Sequence, residues 1–257
     1  MISLEKSFKD ASFDSEVTHD KIFSDDILIA QHKKGYRFNA DSILLSWFIF
    51  NSYKNTKNIK GLEIGSGTGV IPIVLSKRGK AFHIDCIEMQ EDLYKLLKYN
   101  IENNHLSTYL NPLLCDFRVF SKNSGSTYDI IFTNPPYFHA GGKMSPDSKK
   151  ACSRHEVLGS LKDFFELSYK LLASKGVFYF IYPVSRIQYA LANAQANKLY
   201  LKEICFFQEY SDTPPSLFAA KLTKGDPGAS LKSDLVLLRN RDKSYTETGK
   251  GIMYDIH

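Results

Sequence analysis

The chain has 257 residues, 43% of them hydrophobic and 24% charged, which is the composition of a globular protein rather than a disordered or fibrous one. The net charge of +5 permits a polyanionic partner without requiring one, although residues 131–257 carry the whole excess, with 17 Lys and Arg against 12 Asp and Glu. The sequence has no membrane-spanning stretch and no signal peptide, and its four cysteines form no CxxC pair, so a cytoplasmic protein without a disulfide framework or a metal site is expected.

Strand-like and helix-like segments alternate from residue 58 onward. Strands are predicted at 58–65, 81–89, 110–117, 128–132, 176–183, 199–210 and 233–240, and helices at 68–79, 90–104, 156–174 and 185–198. This alternation is typical of an α/β fold with a mostly parallel, doubly wound sheet of seven strands. The polar segment 211–232 is interpreted as a loop, and because no helix separates the last two strands, the last strand is expected to run antiparallel.

The first 58 residues differ from the rest of the chain. Residues 25–38 are β-rich, and a helix is predicted over 40–53, with Asp41 near its start. We therefore expect a lead-in of residues 1–58 that packs on a main domain of residues 59–257, with residues 1–20 as a flexible arm.

A glycine loop, LEIGSGTGV, follows the first strand of the main domain. Gly65, Gly67 and Gly69 allow a tight turn and the close approach of a ligand. The dinucleotide fingerprint requires Gly or Ala where Val70 stands. The pattern is similar to that of S-adenosylmethionine (SAM) methyltransferases, which implies their class I fold and SAM as the cofactor. The resemblance implies cofactor contacts from Glu63, Gly65, Ser66, Gly67, Thr68 and Gly69.

Carboxylates end the next two strands. Glu88 stands where a carboxylate can accept both ribose hydroxyls, and Asp116 where one can accept from the adenine amino group. Met89 and Phe117 follow them and can pack against the adenine ring. The alternative is that both carboxylates are solvated helix caps.

The fourth strand runs into NPPY, where proline must end the sheet ladder. Pro135 and Pro136 preset the backbone, so that the side-chain oxygen of Asn134 and a main-chain carbonyl, most simply that of Pro135, can point together into the cleft. Two acceptors at one point suit an NH2 group, and Tyr137 can stack on a flat group beside it. The alternative is an ordinary proline-rich turn.

This combination resembles the amino-group methyltransferases that carry an (N/D)PP(Y/F) motif. The resemblance implies that Asn134, Pro135, Pro136 and Tyr137 handle the target amine, with Asn134 also beside the cofactor. It leaves the substrate open, because DNA or RNA adenine N6, rRNA guanine N2 and the release-factor glutamine amide are all methylated by such enzymes.

Three further segments narrow the substrate. GYRFNADSILLSWF, SRHE and the late SYTE occur in the order found in the bacterial family of tRNA1(Val) (adenine-N6)-methyltransferases, which the chain resembles over nearly its whole length. This implies tRNA as the partner and the adenosine 3′ to a valine anticodon as the target. It also implies that Arg37, Phe38 and Asp41 line the cofactor site.

A basic loop follows NPPYF. Lys143, Lys149, Lys150 and Arg154 are placed to bind RNA phosphates, and the alternative is a solvated loop. We expect a monomer. Two competing functions remain: a release-factor glutamine methyltransferase, although residues 1–58 are too few for that family's helical substrate domain, and a non-catalytic RNA-binding module, against which the complete set of motifs argues.

Overall fold

The computed structural model describes residues 16–23, 26–34, 37–52, 58–79, 82–123, 125–137, 159–225 and 231–255. The strands are β1 (Val17–Ile22), β2 (Ile27–His32), β3 (Ile59–Ile64), β4 (Phe82–Glu88), β5 (Leu110–Leu114), β6 (Tyr128–Thr133), β7 (Leu172–Pro183), β8 (Tyr200–Gln208), β9 (Leu217–Thr223) and β10 (Lys232–Leu237). The helices are α1 (Ala40–Ser52), α2 (Val70–Lys77), α3 (Glu91–Asn103), α4 (Phe117–Asn123), α5 (Leu161–Leu171), α6 (Ile187–Ala196) and α7 (Glu247–Met253). In this part of the chain, no helix is both long and apolar enough to cross a membrane.

The strands β3 to β10 form one sheet with an apolar core on each face. Successive strand side chains point to opposite faces, so Ile130 and Phe132 of β6 join one cluster and Ile131 joins the other. Helices α1, α2 and α3 contribute to the first cluster, and α5 and α6 to the second. The doubly wound α/β fold expected from the sequence is confirmed.

The strand order β10-β8-β9-β7-β6-β3-β4-β5 places a switch point between β3 and β6. β3 pairs in parallel with both β4 and β6, so the chain leaves β3 on one side and returns on the other. Glu63 lies opposite Phe132, and this register brings Gly65 and Asn134 side by side, two residues further on. Ligands of open α/β sheets bind at such a point, beyond the carboxyl ends of the strands.

The expected antiparallel strand is present, but it is not the last one. β9, in the segment interpreted as a loop, runs antiparallel between β7 and β8. β10 then pairs in parallel with β8 at the sheet edge, so the described sheet has eight strands rather than seven. β9 was not predicted from the sequence because prolines precede it and because it contains two fully buried alanines, Ala219 and Ala220. Alanine has only a weak preference for strands.

Asn100 of α3 and Asn104, the C-cap of this helix, attach the hairpin formed by β1 and β2. The buried amide of Asn100 accepts from Ala30 N at 2.7 Å and donates to Ala30 O at 2.9 Å, as a neighbouring strand would. Asn104 does the same with the main chain of Leu28, at 3.3 and 2.8 Å. Asn100 also donates to the carbonyl of Thr68 at 2.9 Å, so one side chain joins the hairpin, α3 and the glycine loop.

Asn100→Ala is expected to lower the free energy of unfolding by about 2–4 kcal/mol, because it leaves the N–H and C=O of Ala30 and the C=O of Thr68 buried without their partner. Chemical denaturation measures this change. The control is Asn111→Ala at an exposed site, with a loss of about 0.5 kcal/mol or less. Equal losses in the two variants would contradict the role given to Asn100.

Candidate active site

A cleft of about 360 Å³ lies at the carboxyl ends of β3, β4 and β6. It is lined by these residues singled out from the sequence: Arg37, Asp41, Gly65, Gly67, Glu88, Met89, Phe117, Asn134, Pro135, Pro136 and Tyr137. It is also lined by Asn39, Ile64, Ile87, Gln90, Leu93, Cys115, Thr133 and Phe164, which the sequence did not single out. The glycine loop, the end of β4 and the NPPY segment therefore share one cavity.

The glycine loop is tied to β4 and turns where L side chains are disfavoured. Gly65 N and Ser66 N both donate to Ile87 O, at 2.9 and 2.8 Å. Gly65 and Gly69 have φ values of +74° and +84°. A Cβ on Gly69 would lie 2.6 Å from Leu97 Cδ1, whereas one on Gly65 would meet nothing within 4 Å. A side chain at Gly69 would therefore need a shift of Leu97 in addition to a disfavoured φ, whereas at Gly65 only the positive φ disfavours one.

A smaller pocket, of about 10 Å³, adjoins the cleft and shares Gly65 and Asn134 with it. The predicted residues Phe38, Glu63, Ser66 and Thr68 line this pocket instead of the main cleft. Its buried Glu63 Oε2, Ser66 Oγ and Thr68 Oγ1 find no hydrogen-bond partner among the described residues. Since buried polar atoms are normally paired, they form a place for a polar group or a water molecule.

Burial raises the pKa of Glu63 well above its ordinary range, while the Ser66 hydroxyl lowers it and the nearby Glu88 raises it. The folded protein therefore holds this proton more tightly than the unfolded chain does. The resulting stability is complete below the unfolded pKa of about 4.3. It is lost as the pH rises toward the folded pKa.

Glu63→Gln is expected to gain stability relative to the unsubstituted protein as the pH rises from about 5 to about 8, because the amide cannot ionise. Urea denaturation of the ligand-free protein across this range measures the difference. Glu102→Gln, the same substitution at an exposed position of α3, is the control. Parallel curves for Glu63→Gln would contradict the raised pKa.

Glu88 accepts hydrogen bonds from the turn around it while lining the cleft. Its Oε2 accepts from Gly67 N at 2.9 Å, and its Oε1 accepts from Met89 N and Gln90 N at 2.9 and 2.8 Å. Burial raises the pKa of Glu88, and these main-chain donors oppose the rise. Oε1 thus already accepts two hydrogen bonds, whereas Oε2 keeps a lone pair with which it can accept from a ligand hydroxyl.

The Asp116 carboxylate is bonded to Arg118, two residues further along the chain. Arg118 Nε donates to both of its carboxylate oxygens at 2.9 and 3.0 Å, and Arg118 Nη2 donates at 2.6 Å. These bonds lower the pKa of Asp116. Asp116 is not among the residues that line the cleft, although its neighbours Cys115 and Phe117 are, so its contact with adenine stays a prediction.

The NPPY segment contacts the lead-in through one hydroxyl group. The Tyr137 hydroxyl donates to Asp41 Oδ2 at 2.6 Å and lies 3.1 Å from Asn134 Oδ1, a second acceptor. Its ring stands edge-on to Tyr182, with centroids 5.4 Å apart. Thr133 Oγ1 donates to Ile64 O at 2.8 Å and fixes the end of β6 against β3.

The segment before α1 is held against the hairpin. Arg37 donates to Thr18 Oγ1 at 2.8 Å and to Asp20 Oδ2 at 2.6 Å. Phe38 N donates to the side chain of Gln31 at 3.1 Å. The hairpin thus positions one wall of the cleft.

Some expectations lie outside the described residues, and some lining residues were missed. The residues expected to bind RNA phosphates lie outside the described residues: Lys143, Lys149, Lys150 and Arg154. Among the missed residues, Gln90 adjoins Glu88 and Met89 in sequence, and this adjacency could have identified it. Phe164 sits within an amphipathic helix, stacks on Phe117 with centroids 4.7 Å apart, and has no local signal.

The residues present fit S-adenosylmethionine. Glu88 can accept from ribose hydroxyls, and Ile87, Leu93 and Phe164 provide apolar walls for a base. The unpartnered Glu63 Oε2 offers an acceptor for the charged amino-acid end of the cofactor through water. Among the described residues, no group of three or more His, Cys, Asp or Glu side chains could hold a metal ion.

Comparison with known families and proteins gives consistent matches. The family model "Methyltransferase small domain" matches residues 41–182. A relative from Tolumonas auensis is 28% identical over 220 residues, which cover 85% of this chain and 88% of the relative. A relative from a Flavobacteriaceae bacterium (strain 3519-10) is 28% identical over 173 residues, covering 67% and 71%. Both bear the name tRNA1(Val) (adenine(37)-N6)-methyltransferase.

Solved structures show the same fold. A predicted O-methyltransferase from Agrobacterium tumefaciens is 13% identical, with a TM-score of 0.64, over 82% of this chain and 94% of the other. M. jannaschii TYW2, solved in complex with AdoMet, is 16% identical, with a TM-score of 0.54, over 81% and 87%.

Proposed function

This chain belongs to the methyltransferase small domain family, and from that membership we propose that it transfers a methyl group from S-adenosylmethionine to the exocyclic N6 amine of an adenosine in tRNA. The observation that carries the proposal is the shared cavity: Asn134 and Tyr137 line the same cleft as Gly65, Gly67 and Glu88. We therefore propose that the target amine and the nucleoside part of the cofactor bind side by side at the switch point of the sheet.

The cofactor, when bound, supplies a methyl group on a positively charged sulfur. Glu88 Oε2 would accept from a ribose hydroxyl while remaining fixed by Gly67 N–H, which connects the glycine loop to the nucleoside. Gly65, whose missing side chain leaves open space, lets the loop approach the ligand. Glu63, Ser66 and Thr68 would bind the amino-acid end through a water molecule, because the adjoining pocket of about 10 Å³ has room for no more than that.

Asn134 and Pro135 do the chemical work on the target. The lone pair of an exocyclic amine is delocalised into the base, so the amine is a poor nucleophile. When Asn134 Oδ1 and the Pro135 carbonyl accept its two hydrogens, they hold them out of the ring plane and direct the lone pair toward the methyl group. Positive charge then grows on nitrogen as the N–C bond forms and the S–C bond breaks, and both hydrogen bonds strengthen in the transition state.

No strong base is required before transfer. The nitrogen becomes acidic only after it has gained the methyl group, and one proton then leaves to solvent. Fixing the nitrogen and the methyl carbon in line supplies much of the remaining acceleration. Pro135 and Pro136 assist because their rings fix φ, so the two acceptors do not have to be ordered during the reaction.

The proposal that tRNA is the substrate rests on the names of the relatives and on the charge of the chain. The matched segments cover up to 88% of these relatives. The excess of Lys and Arg after residue 130 suits a polyanionic partner. A loop adenosine next to an anticodon is partly unstacked, so it reaches a narrow cleft at lower cost than a base in a duplex. We place the target beside the anticodon of a valine tRNA, with phosphate contacts from Lys143, Lys149, Lys150 and Arg154.

The proposal also includes the division of the chain into two parts. Residues 1–58 act as a lead-in on the main domain of residues 59–257, since Asn100 and Asn104 tie the hairpin to α3. The protein works as a monomer in the cytoplasm, where tRNA is available.

Incubation with trideuteromethyl-labelled cofactor tests the function. Unmodified tRNA, rRNA, DNA and a release factor are supplied in parallel, and digests are analysed by mass spectrometry. Labelled N6-methyladenosine in tRNA alone is the expected result. Label in the glutamine of the release factor, in guanine N2 or in DNA would mean that the substrate is a different one and that the reaction is still N-methylation. If no acceptor is labelled, the proposed function is rejected.

A further inference from the structure

The NPPY segment has the cofactor strands on one side and β7 on the other. In the strand order, β3 and β4 lie on one side of β6, and β7 is its neighbour on the other side. Thr133 pairs with Phe180, so NPPY begins beside the last residues of β7. The ring of Tyr137 accordingly stands 5.4 Å from that of Tyr182. Since the methyl group arrives from the side of β3 and β4, we expect the rest of the substrate to lie on the side of β7.

An exposed aromatic ring with a cation over it lies at this end of β7. The strand leads through a turn of 3-10 helix, Val184–Arg186, into α6. Tyr189, in the first turn of α6, is 44% exposed, and Arg186 Cζ lies 4.8 Å from its ring centroid. Ala190, the next residue, has no exposed surface, so the start of the helix is packed on the sheet. The ring of Tyr189 is therefore an accessible flat surface on a fixed element.

Further cations lie along the same edge of the sheet. β10 also ends there, because it pairs in parallel with β8, and β8 and β7 both run antiparallel to β9. The segment after β10 carries Arg241 and Lys243, both exposed, three strand spacings or about 14 Å from the end of β7. Acidic side chains are present in the adjoining turns: Glu209, Asp212 and Asp242. Asp242 accepts hydrogen bonds within its own turn.

The late SYTE segment fixes the turn that carries these two cations. Arg239 Cζ lies 3.8 Å from the ring centroid of Tyr245, and Arg239 Nη1 donates to Lys243 O at 2.8 Å. Thr246 Oγ1 accepts from Gly249 N at 2.9 Å and caps α7. The segment thus holds the turn between a stacked arginine and a capped helix.

We propose that Arg186, Tyr189, Arg241 and Lys243 form an RNA-binding surface, the β7–β10 rim, in which Tyr189 stacks on a base next to the target adenosine and the three cations contact phosphates. A base that leaves its stack for the cleft exposes its neighbour, and an aromatic ring can replace the lost partner. Phosphate contacts position the strand on the protein. This inference rests on the proposed function and adds RNA contacts that the sequence did not single out.

Tyr189→Ala tests the stacking contact. We expect the Kd for an unmodified valine anticodon stem-loop to rise about 5- to 100-fold, because the variant loses one aromatic–base stack. Tyr189→Phe keeps the ring and should bind within about twofold of the unsubstituted protein. The Kd for SAM should not change, since Gly65 and Glu88 line the cleft on the other side of NPPY. Fluorescence anisotropy measures RNA binding, with S-adenosylhomocysteine in place of SAM so that the RNA stays unmodified.

The chain contains a matched control at the opposite edge of the sheet. Lys224 Nζ lies 4.9 Å from the ring centroid of Tyr169, and Lys224 follows β9, whose last residue pairs with Val177 near the beginning of the parallel part of β7. Tyr169→Ala removes a ring of the same kind there and should leave RNA binding unchanged. An equal rise in the Kd for RNA in Tyr169→Ala would overturn the inference, because it would show a general loss of structure.

The phosphate contacts have a separate readout in the salt dependence of binding. Each lost phosphate contact lowers the slope of log Kd against log salt by about 0.7–0.9, so the double variant Arg241→Gln/Lys243→Gln should lower it by about 1.4–1.8. Lys175→Gln/Lys224→Gln makes the same change in charge at the opposite edge and should leave the slope unchanged. Equal slopes in the unsubstituted protein and the Arg241→Gln/Lys243→Gln variant would contradict the phosphate contacts.

The outcomes separate this inference from the proposed function. If the stem-loop is methylated and Tyr189→Ala binds it as tightly as the unsubstituted protein does, the inference fails while the proposed function stands. If no RNA is methylated, the proposed function fails, and the binding measurements still decide on the surface. Stem-loop binding that depends on Tyr189 would then support the β7–β10 rim, and a lack of binding would reject it.

Discussion

Asn134→Ala is expected to lower kcat for methyl transfer by about 100- to 1,000-fold, or ~2.7–4 kcal/mol, while the Kd for SAM changes by less than about twofold. The substitution removes an acceptor whose hydrogen bond strengthens only as charge develops on the amine. The contacts of the glycine loop with Ile87 and of Gly67 with Glu88 do not involve Asn134, so the cofactor site should remain.

Single-turnover kinetics and isothermal titration with SAM separate these two effects. Asn193→Ala is the control, since this asparagine of α6 bonds only to its own helix and its neighbour Asn197 in the described residues. Full activity of Asn134→Ala would contradict the mechanism. A large loss of SAM affinity would move Asn134 from the target amine to the cofactor.

Glu88→Gln is expected to raise the Kd for SAM by about 30- to 100-fold, because hydrogen bonds to a charged acceptor contribute about 1.5–3 kcal/mol each. The amide keeps the size of the side chain. However, one end of it would present N–H groups to donors that now bond to the carboxylate, Gly67 N on one side or Met89 N and Gln90 N on the other. Both the ligand contact and the shape of the glycine loop are therefore affected.

Asp116→Asn is the informative comparison for Glu88→Gln. The sequence gives both carboxylates a cofactor contact, whereas the structure has Glu88 in the lining of the cleft and Asp116 bonded to Arg118. Titration calorimetry should show a smaller effect for Asp116→Asn. An effect as large as that of Glu88→Gln would mean that Asp116 leaves Arg118 to bind the cofactor, and an unchanged Kd in Glu88→Gln would contradict the role of Glu88.

The sequence predicts the alternation of strands and helices and the edge at which the site lies, because both follow from local patterns. Apolar runs ending in EIG, CIE and FTNPPY fix where β3, β4 and β6 stop, and parallel strands stop at a common edge. The strand β9 was missed because its neighbours in the sheet, not its composition, stabilise it. Its alanines are buried by β7 and β8, which pair with it on both sides.

The contacts that orient the site could not be read from the sequence. Asp41 and Tyr137 are 96 positions apart, and Asn100 and Ala30 are 70 positions apart. Each pair meets only through tertiary contacts between residues before 58 and later parts of the chain. In contrast, the contact of Asp116 with Arg118 is local, because the two residues are two positions apart. An Asp just before a helix commonly accepts from main-chain N–H groups of the first turn, as Asp116 does from Arg118 N, and this is the alternative to ligand binding.

The most direct test of the account uses the anticodon stem-loop of a valine tRNA and trideuteromethyl-labelled SAM. One stem-loop carries adenosine at the position named in the relatives, adenine 37, and the other carries a purine that lacks the exocyclic amine there. The account predicts one labelled N6-methyladenosine in the first RNA, no label in the second, and labelling of the first RNA about 100-fold slower or more with Asn134→Ala. Label in the second RNA, or undiminished label with Asn134→Ala, would contradict it.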